Sequence, residues 1–201
     1  MGPKRPSAAR ERILDTASAL FYAHGVRGVG VDTVIAASGV AKATLYAHFP
    51  AKTDLVIAYL QRADTVWRGK LREAADAAGD DPRDQLVGMF DALAADCGRD
   101  GFRGCAFINT AAESEPGSVV YDATVAHKRA VRAWVRDLAE QAHAADPDQL
   151  ARVLTVLIDG ALSVAALESD ADAAATAKEA ARFLVRAACP NDAVPGSAGA
   201  T

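Results

Sequence analysis

The chain has 201 residues, 51% of them apolar and 24% charged, which is enough to bury a full core as one large domain or two small ones. A net charge of −4 excludes a general nucleic-acid coat, and three cysteines, an odd number without metal-ligand spacing, exclude a disulfide framework. The charge is unevenly placed: residues 1–53 carry seven Lys and Arg against three Asp and Glu, or +4, while residues 54–201 carry 15 against 23, or −8.

Residues 1–7 read as a mobile basic arm in which Ser7 can cap a first helix to about Ala23, with Ile13, Leu14, Ala17, Leu20 and Phe21 as its apolar stripe. His24-Gly25 ends that helix, and the two glycines of VRGVGV make the next stretch a connector. Val31 to Phe49 then reads as two short helices joined by a tight turn at Gly39. Val34, Ile35, Val40, Leu45 and Phe49 are spaced to bury one side of this pair, leaving Lys42, Thr44, Tyr46 and His48 facing outwards on the second helix. A helix-turn-helix sets its second helix in the DNA major groove, and a basic head on an acidic body fits DNA contact at one end only. Pro50 disfavours helical geometry at Phe49 and closes the pair.

A long fourth helix is expected from about Lys52 to Ala78, then a fifth from Arg83 to Cys97 and a short sixth from Cys105 to Glu113. Helices over Val119–Ala144, Asp148–Leu167 and Ala171–Ala188 follow, and the low-complexity residues 190–201 are expected to be disordered. Leu150–Leu167 is about long enough to span a bilayer, but Arg152 and Asp159 within it point to a buried helix, and no signal-peptide pattern precedes it. The reading is an all-α chain of nine helices, with no strand and no repeat, in the cytoplasm. The fourth helix is continuous from the head into the larger bundle, so a movement at its far end would shift the head.

At this point the chain resembles the TetR family of bacterial transcriptional regulators, most clearly over residues 10–60. The likeness rests on ILDTASALFYAHG, on SGVAKATLYAHFPAKTDLV with its run G-V-x-K-x-T-L-Y-x-H-F-x-x-K from Gly39 to Lys52, and on the helix count. It implies a helix-turn-helix DNA-binding domain over residues 8–51 and a six-helix ligand-binding and dimerisation domain over 52–189. The implied function is a ligand-responsive regulator, most often a repressor, that binds a palindromic double-stranded DNA operator as a homodimer and is released by a small-molecule effector. No cofactor, metal, catalytic residue or membrane contact is implied. The segment RGCAFINTAAE, Arg103 to Glu113, resembles a stretch in one branch of such regulators, and no ligand follows from it.

By family position Lys42, Thr44, Tyr46 and His48 match the groove-facing set, with Thr33, Ala41 and Ala43 beside them and Lys52 matching a phosphate-gripping lysine. Arg10, with Lys4 and Arg5, is placed to follow the DNA backbone or enter a minor groove, with solvated disorder the alternative for Lys4 and Arg5. The starts of the second, third and fourth helices often carry Ser or Thr in the family but here are Gly30, Ala41 and Ala51. This reflects either the alanine bias of the chain or helix N–H groups left for operator phosphates. Trp67, Met89, Phe90, Phe107, Asn109, His127 and Trp134 are candidate lining of an effector pocket, or plain core. Leu150, Val153, Leu154, Leu157, Ile158, Ala161, Leu162 and Ala165, with Phe183 and Leu184, are candidates for the four-helix dimer contact the family implies, or for burial within one protomer. Cys97 and Cys105 flank a loop and are read as inert thiols, with a redox switch as the alternative.

The rival reading is a helical small-molecule-binding protein or enzyme whose head binds no DNA. Against catalysis, the sequence has no G-x-S-x-G elbow, no phosphate-cradling glycine loop and no His/Cys/Asp cluster at ligand spacing.

Overall fold

The computed structural model describes residues 7–170 and 172–190, so the expected arm before Ser7 and the tail after Pro190 lie outside the described residues. Among the described residues the regular elements are all helices: α1 Ala8–His24, α2 Val31–Ser38, α3 Lys42–His48, α4 Lys52–Ala77, α5 Pro82–Gly88, α6 Asp91–Cys97, α7 Ala106–Ala112, α8 Val119–Gln141, α9 Pro147–Glu168 and α10 Ala173–Ala188. The expected fifth helix is present as α5 and α6. Met89 and Phe90 between them keep right-handed helical angles, but the N–H groups of Phe90, Ala92 and Leu93 bond three residues back rather than four. This tightened turn lets the adjacent Met89 and Phe90 both be buried. Counted as one bent helix, the segment restores the expected nine.

The helix starts follow local chemistry. The Ser7 hydroxyl accepts from Arg10 N, the Asp81 carboxylate from Arg83 N, and the Asp146 carboxylate from Gln149 N, with Pro82 and Pro147 at the first helical positions. α8 ends earlier than expected because His143 turns left-handed at φ 55°.

The chain divides into two compact units. Among the described residues the first runs to Gly69 and takes back Asp100–Arg129; the second holds Lys70–Arg99 and those from Ala130 onwards. In the first unit the stripe Ile13, Leu14, Ala17 and Phe21 packs with Val34, Val40, Leu45 and Phe49, and with Leu55, Tyr59 and Leu60 of α4. Phe107 of α7 is buried in this same cluster, with Val120 and Ala123 of α8 against it. That burial draws residues 100–129 to the head, a long-range contact that spacing along the chain does not reveal.

In the second unit α10 packs on α9, α5 and α6, and α6 also packs on α9. Its core includes Leu71, Leu86, Met89, Leu93, Val135, Leu154 and Val185. Among the described residues α9 is the one helix long and apolar enough to cross a membrane, yet Leu150, Leu154, Ile158, Leu162 and Ala165 are buried within this unit and Arg152 is exposed.

Candidate nucleic-acid interface

The helix pair begins with the turn. Gly39 sits in the left-handed region at φ 65° and caps α2 by donating to the Ile35 carbonyl at 3.0 Å. α3 starts three residues later and stops at Phe49, whose extended backbone (φ −136°, ψ 90°) is what the following Pro50 requires. Val34, Val40, Leu45 and Phe49 are buried beneath the pair. Lys42, Ala43 and Tyr46, with Ala41 before the helix and Thr33 on α2, are exposed; Thr44, His48 and Lys52 are half-buried. One apolar side therefore fixes the direction in which a polar, basic side faces out.

Several outward groups are held in place. His48 Nε2 lies 3.1 Å from the hydroxyl of Ser7, the residue that caps α1. Arg10 stacks over the Phe49 ring, its guanidinium carbon 5.1 Å from the centroid, and meets Glu11 at 3.4 Å. Arg62 of α4 forks between Glu11 and Asp15 of α1, neutralising two acids on the head and fixing the two helices together. Lys42 pairs with Asp32 at 3.4 Å, but both are largely exposed, so water and salt screen the contact. Arg10 is thus a seated residue of α1.

Neither Gly30 nor Ala41 makes a side-chain cap, as their side chains dictate. At Ala51, too, the side chain offers no cap, but the backbone N–H is taken up. Asp54 reaches back and accepts from Ala51 N at 2.9 Å, half of a capping box.

The candidate pocket residues are divided between the two units. Trp67, Phe107, Asn109 and His127 belong to the first unit, and Met89, Phe90 and Trp134 to the second. Met89 and Phe90 are fully buried core, and Arg72 covers the Trp134 ring at 5.7 Å. Asn109 spends its amide on the Arg103 carbonyl at 2.7 Å. His127 is 4% exposed, stacks on Phe107 with centroids 3.4 Å apart, and meets the Asp64 carboxylate through Nδ1 at 2.6 Å. A carboxylate only accepts, so Nδ1 carries the proton. Burial pushes the His127 pKa below its usual value, and the Asp64 hydrogen bond opposes this only in part.

On α9, Leu150, Leu154, Ile158, Ala161, Leu162 and Ala165 are buried inside the protomer, so they are core residues of the second unit and are not open to a partner. Val153, Leu157 and Leu184 are half-buried. The apolar surface lies one step round the helix: Val156 is 69% exposed, Leu167 85% and Phe183 64%, with Gly160 and Val164 between them on α9. The periodicity spotted the inner stripe because it is the more regular of the two. All three cysteines are free, and burial raises the thiols of Cys97 and Cys189 above their usual range, which makes them poor nucleophiles.

Two residues of consequence carried no sequence signal. The Tyr22 hydroxyl donates to the Gly104 carbonyl at 3.2 Å and accepts from Arg103 N at 2.9 Å. Glu113, directly after α7, accepts from Arg27 N at 2.6 Å, its carboxylate occupying the space where a side chain on Gly25 would begin. Only the partners, 81 to 86 positions away, give either residue a meaning.

Comparison with known proteins places this geometry. A family model described as bacterial regulatory proteins, tetR family, matches residues 13–59. The crystal structure of SCO4454, a TetR-family transcriptional regulator from Streptomyces coelicolor, superposes with a TM-score of 0.86 at 33% identity, covering 92% of each chain. The regulator LmrA of Bacillus subtilis is 36% identical over 73 residues, 36% of this chain and 39% of LmrA. The transcriptional activator FasR of Mycolicibacterium smegmatis is 34% identical over 30% of this chain and 33% of FasR. The matched stretch therefore spans only about two fifths and one third of those two relatives.

Proposed function

The chain belongs to the TetR family of bacterial transcriptional regulators, and from that premise we propose that it is a repressor that binds a palindromic operator as a homodimer and lets go when a small molecule binds. The observation that carries this reading is the exposed face of α3. Lys42, Ala43 and Tyr46 stand clear of the core while Leu45 and Phe49 anchor the helix from below. A lysine, a threonine, an aromatic hydroxyl and a histidine on two turns of helix supply phosphate contacts and base-edge contacts together. Thr44 is assigned to a base edge or a thymine methyl, and Tyr46, His48 and Lys52 to phosphate and sugar. Arg10, Thr33, Ala41 and Ala43 line the approach.

A single head this small has little surface for specific binding, and a two-fold pair set about 34–36 Å apart reads two half-sites on one side of the duplex. The exposed apolar row on α9 and α10, Val156, Gly160, Val164, Leu167 and Phe183, is the face we assign to the partner copy. Trp67 and His127 are the effector contacts we retain, because His127 brings a polar ring stacked on the apolar Phe107. An effector that favours heads at the wrong spacing weakens operator binding by its differential affinity for the two states.

Sequencing the DNA that the purified protein retains from random fragments tests the reading. A two-fold symmetric site is the expected result; no enriched site, beside turnover of a small molecule, supports the rival of a helical enzyme or carrier. FasR is named an activator, so the sign of regulation is read separately, from a reporter placed behind the enriched site. Repression predicts higher expression when the chain is deleted.

A further inference from the structure

The segment from Arg103 to Glu113, which carries α7, is held at both ends by the last turn of α1 and the turn that follows it. At its N-terminal end, the Tyr22 hydroxyl joins the Arg103 N–H and the Gly104 carbonyl, and Asn109 ties that loop back through the Arg103 carbonyl. At its C-terminal end, Glu113 takes the Arg27 N–H at 2.6 Å and lies over Gly25, whose φ of 81° makes the turn out of α1. Between the two grips Phe107 is buried in the head's own core, with Tyr59 and Phe21 in the same cluster. Burial raises the Tyr59 hydroxyl above the usual tyrosine range, and Tyr22, Cys105 and Glu113 lie near enough to add to the shift. The other end of α1 reaches the DNA-facing set, through Ser7 on His48 and Arg10 on Phe49. α1 therefore links α7 to the recognition helix, and it does so without contributing to the groove-facing row itself.

We propose that Tyr22 and Glu113 are positioning residues for operator recognition: together they make α7 a structural part of the head and hold α1 so that Arg10 and His48 are presented ready-formed. This inference rests on the DNA-binding reading above. Physically, a charge-assisted bond to a backbone N–H and a doubly bonded tyrosine hydroxyl restrict a turn that would otherwise be ordered only on binding. Neither residue is assigned a DNA contact, so the predicted cost falls on specific affinity and leaves the count of phosphates neutralised unchanged.

The test uses a labelled duplex carrying the site enriched by the unaltered full-length protein, titrated by fluorescence anisotropy, with a scrambled duplex as the non-specific reference. Glu113→Ala and Tyr22→Phe are each expected to lose roughly tenfold in operator affinity, within the usual span of coupling between sites. Non-specific affinity and the slope of log K against log salt should stay as in the unaltered chain. Glu113→Gln, which keeps an oxygen at the same reach, should recover most of the loss. By reciprocity, operator binding should slow hydrogen exchange at the Arg27 amide in the unaltered protein and fail to do so in Glu113→Ala. If Glu113→Ala is poorly folded it loses specific and non-specific binding together and melts early; Tyr22→Phe, which removes one oxygen, then decides the matter. Operator affinity within twofold of the unaltered chain in both variants overturns the proposal alone. Absence of any specific binding by the unaltered protein overturns the DNA-binding reading and this proposal with it.

Discussion

His127 donates from Nδ1 to the Asp64 carboxylate across 2.6 Å while its ring lies flat on Phe107, so a titratable side chain is locked between α4 and α8 inside the first unit. Burial lowers its pKa in the folded protein. The unfolded chain then binds more protons near pH 6.5, and the contribution to stability is complete above that pH and is lost as pH falls through it. Thermal denaturation from pH 8 to 5.5 should show a falling Tm. His127→Asn keeps an N–H for Asp64 but cannot titrate. It should melt lower than the unaltered chain at pH 8 and show a shallower fall on acidification. Parallel profiles would mean that another group carries the effect.

Gly88 and Gly69 make opposite predictions from one substitution. A methyl group at Gly88 would overlap the Ala78 side chain and stand 3.1 Å from the Ala74 carbonyl, so backbone must move. At Gly69, inside α4, nothing lies within 4 Å. Gly88→Ala should destabilise by about 1–3 kcal/mol, whereas Gly69→Ala should stabilise by about 1 kcal/mol through helix propensity. Chemical denaturation of the two variants side by side checks both signs.

Ala41 has the extended backbone of an N-cap (φ −67°, ψ 146°) but no oxygen to offer. Ala41→Ser should therefore add about 1 kcal/mol of stability while changing operator affinity little. A large gain in affinity without added stability would instead assign the new hydroxyl to a phosphate.

Phe183 of α10, the helix that packs on α9, is 64% exposed. Phe183→Glu should shift the protein from dimer to monomer in sedimentation velocity, with its helical signal intact and its operator affinity reduced. A dimer that persists would move the interface elsewhere.

What could be read from the sequence follows from the range of each signal. The turn at Gly39, the buried set Val34, Val40, Leu45 and Phe49, and the outward Lys42 and Tyr46 are legible because local spacing decides them. Ser7 as a cap is legible for the same reason; its contact with His48, 41 positions away, is not. Phe107 reads equally well as pocket or core, and only its burial against the α1–α4 cluster assigns it to the head. On α9 periodicity finds an apolar stripe without saying which neighbour covers it. The inner stripe meets α10 within the protomer, so the surface left for a partner is the less regular row through Val156 and Leu167.

The central claim is that the exposed face of α3 reads DNA. Equilibrium titration of the unaltered protein and of Tyr46→Ala on the chain's own upstream DNA, repeated across salt concentrations, tests it most directly. The account predicts specific binding by the unaltered dimer that weakens steeply as salt rises. It also predicts at least a hundredfold weaker binding by Tyr46→Ala (~2.7 kcal/mol or more at ~1.4 kcal/mol per tenfold), with dimerisation and thermal stability unchanged. Equal affinity of the two proteins for operator and scrambled DNA, or loss of the dimer in Tyr46→Ala, would contradict it.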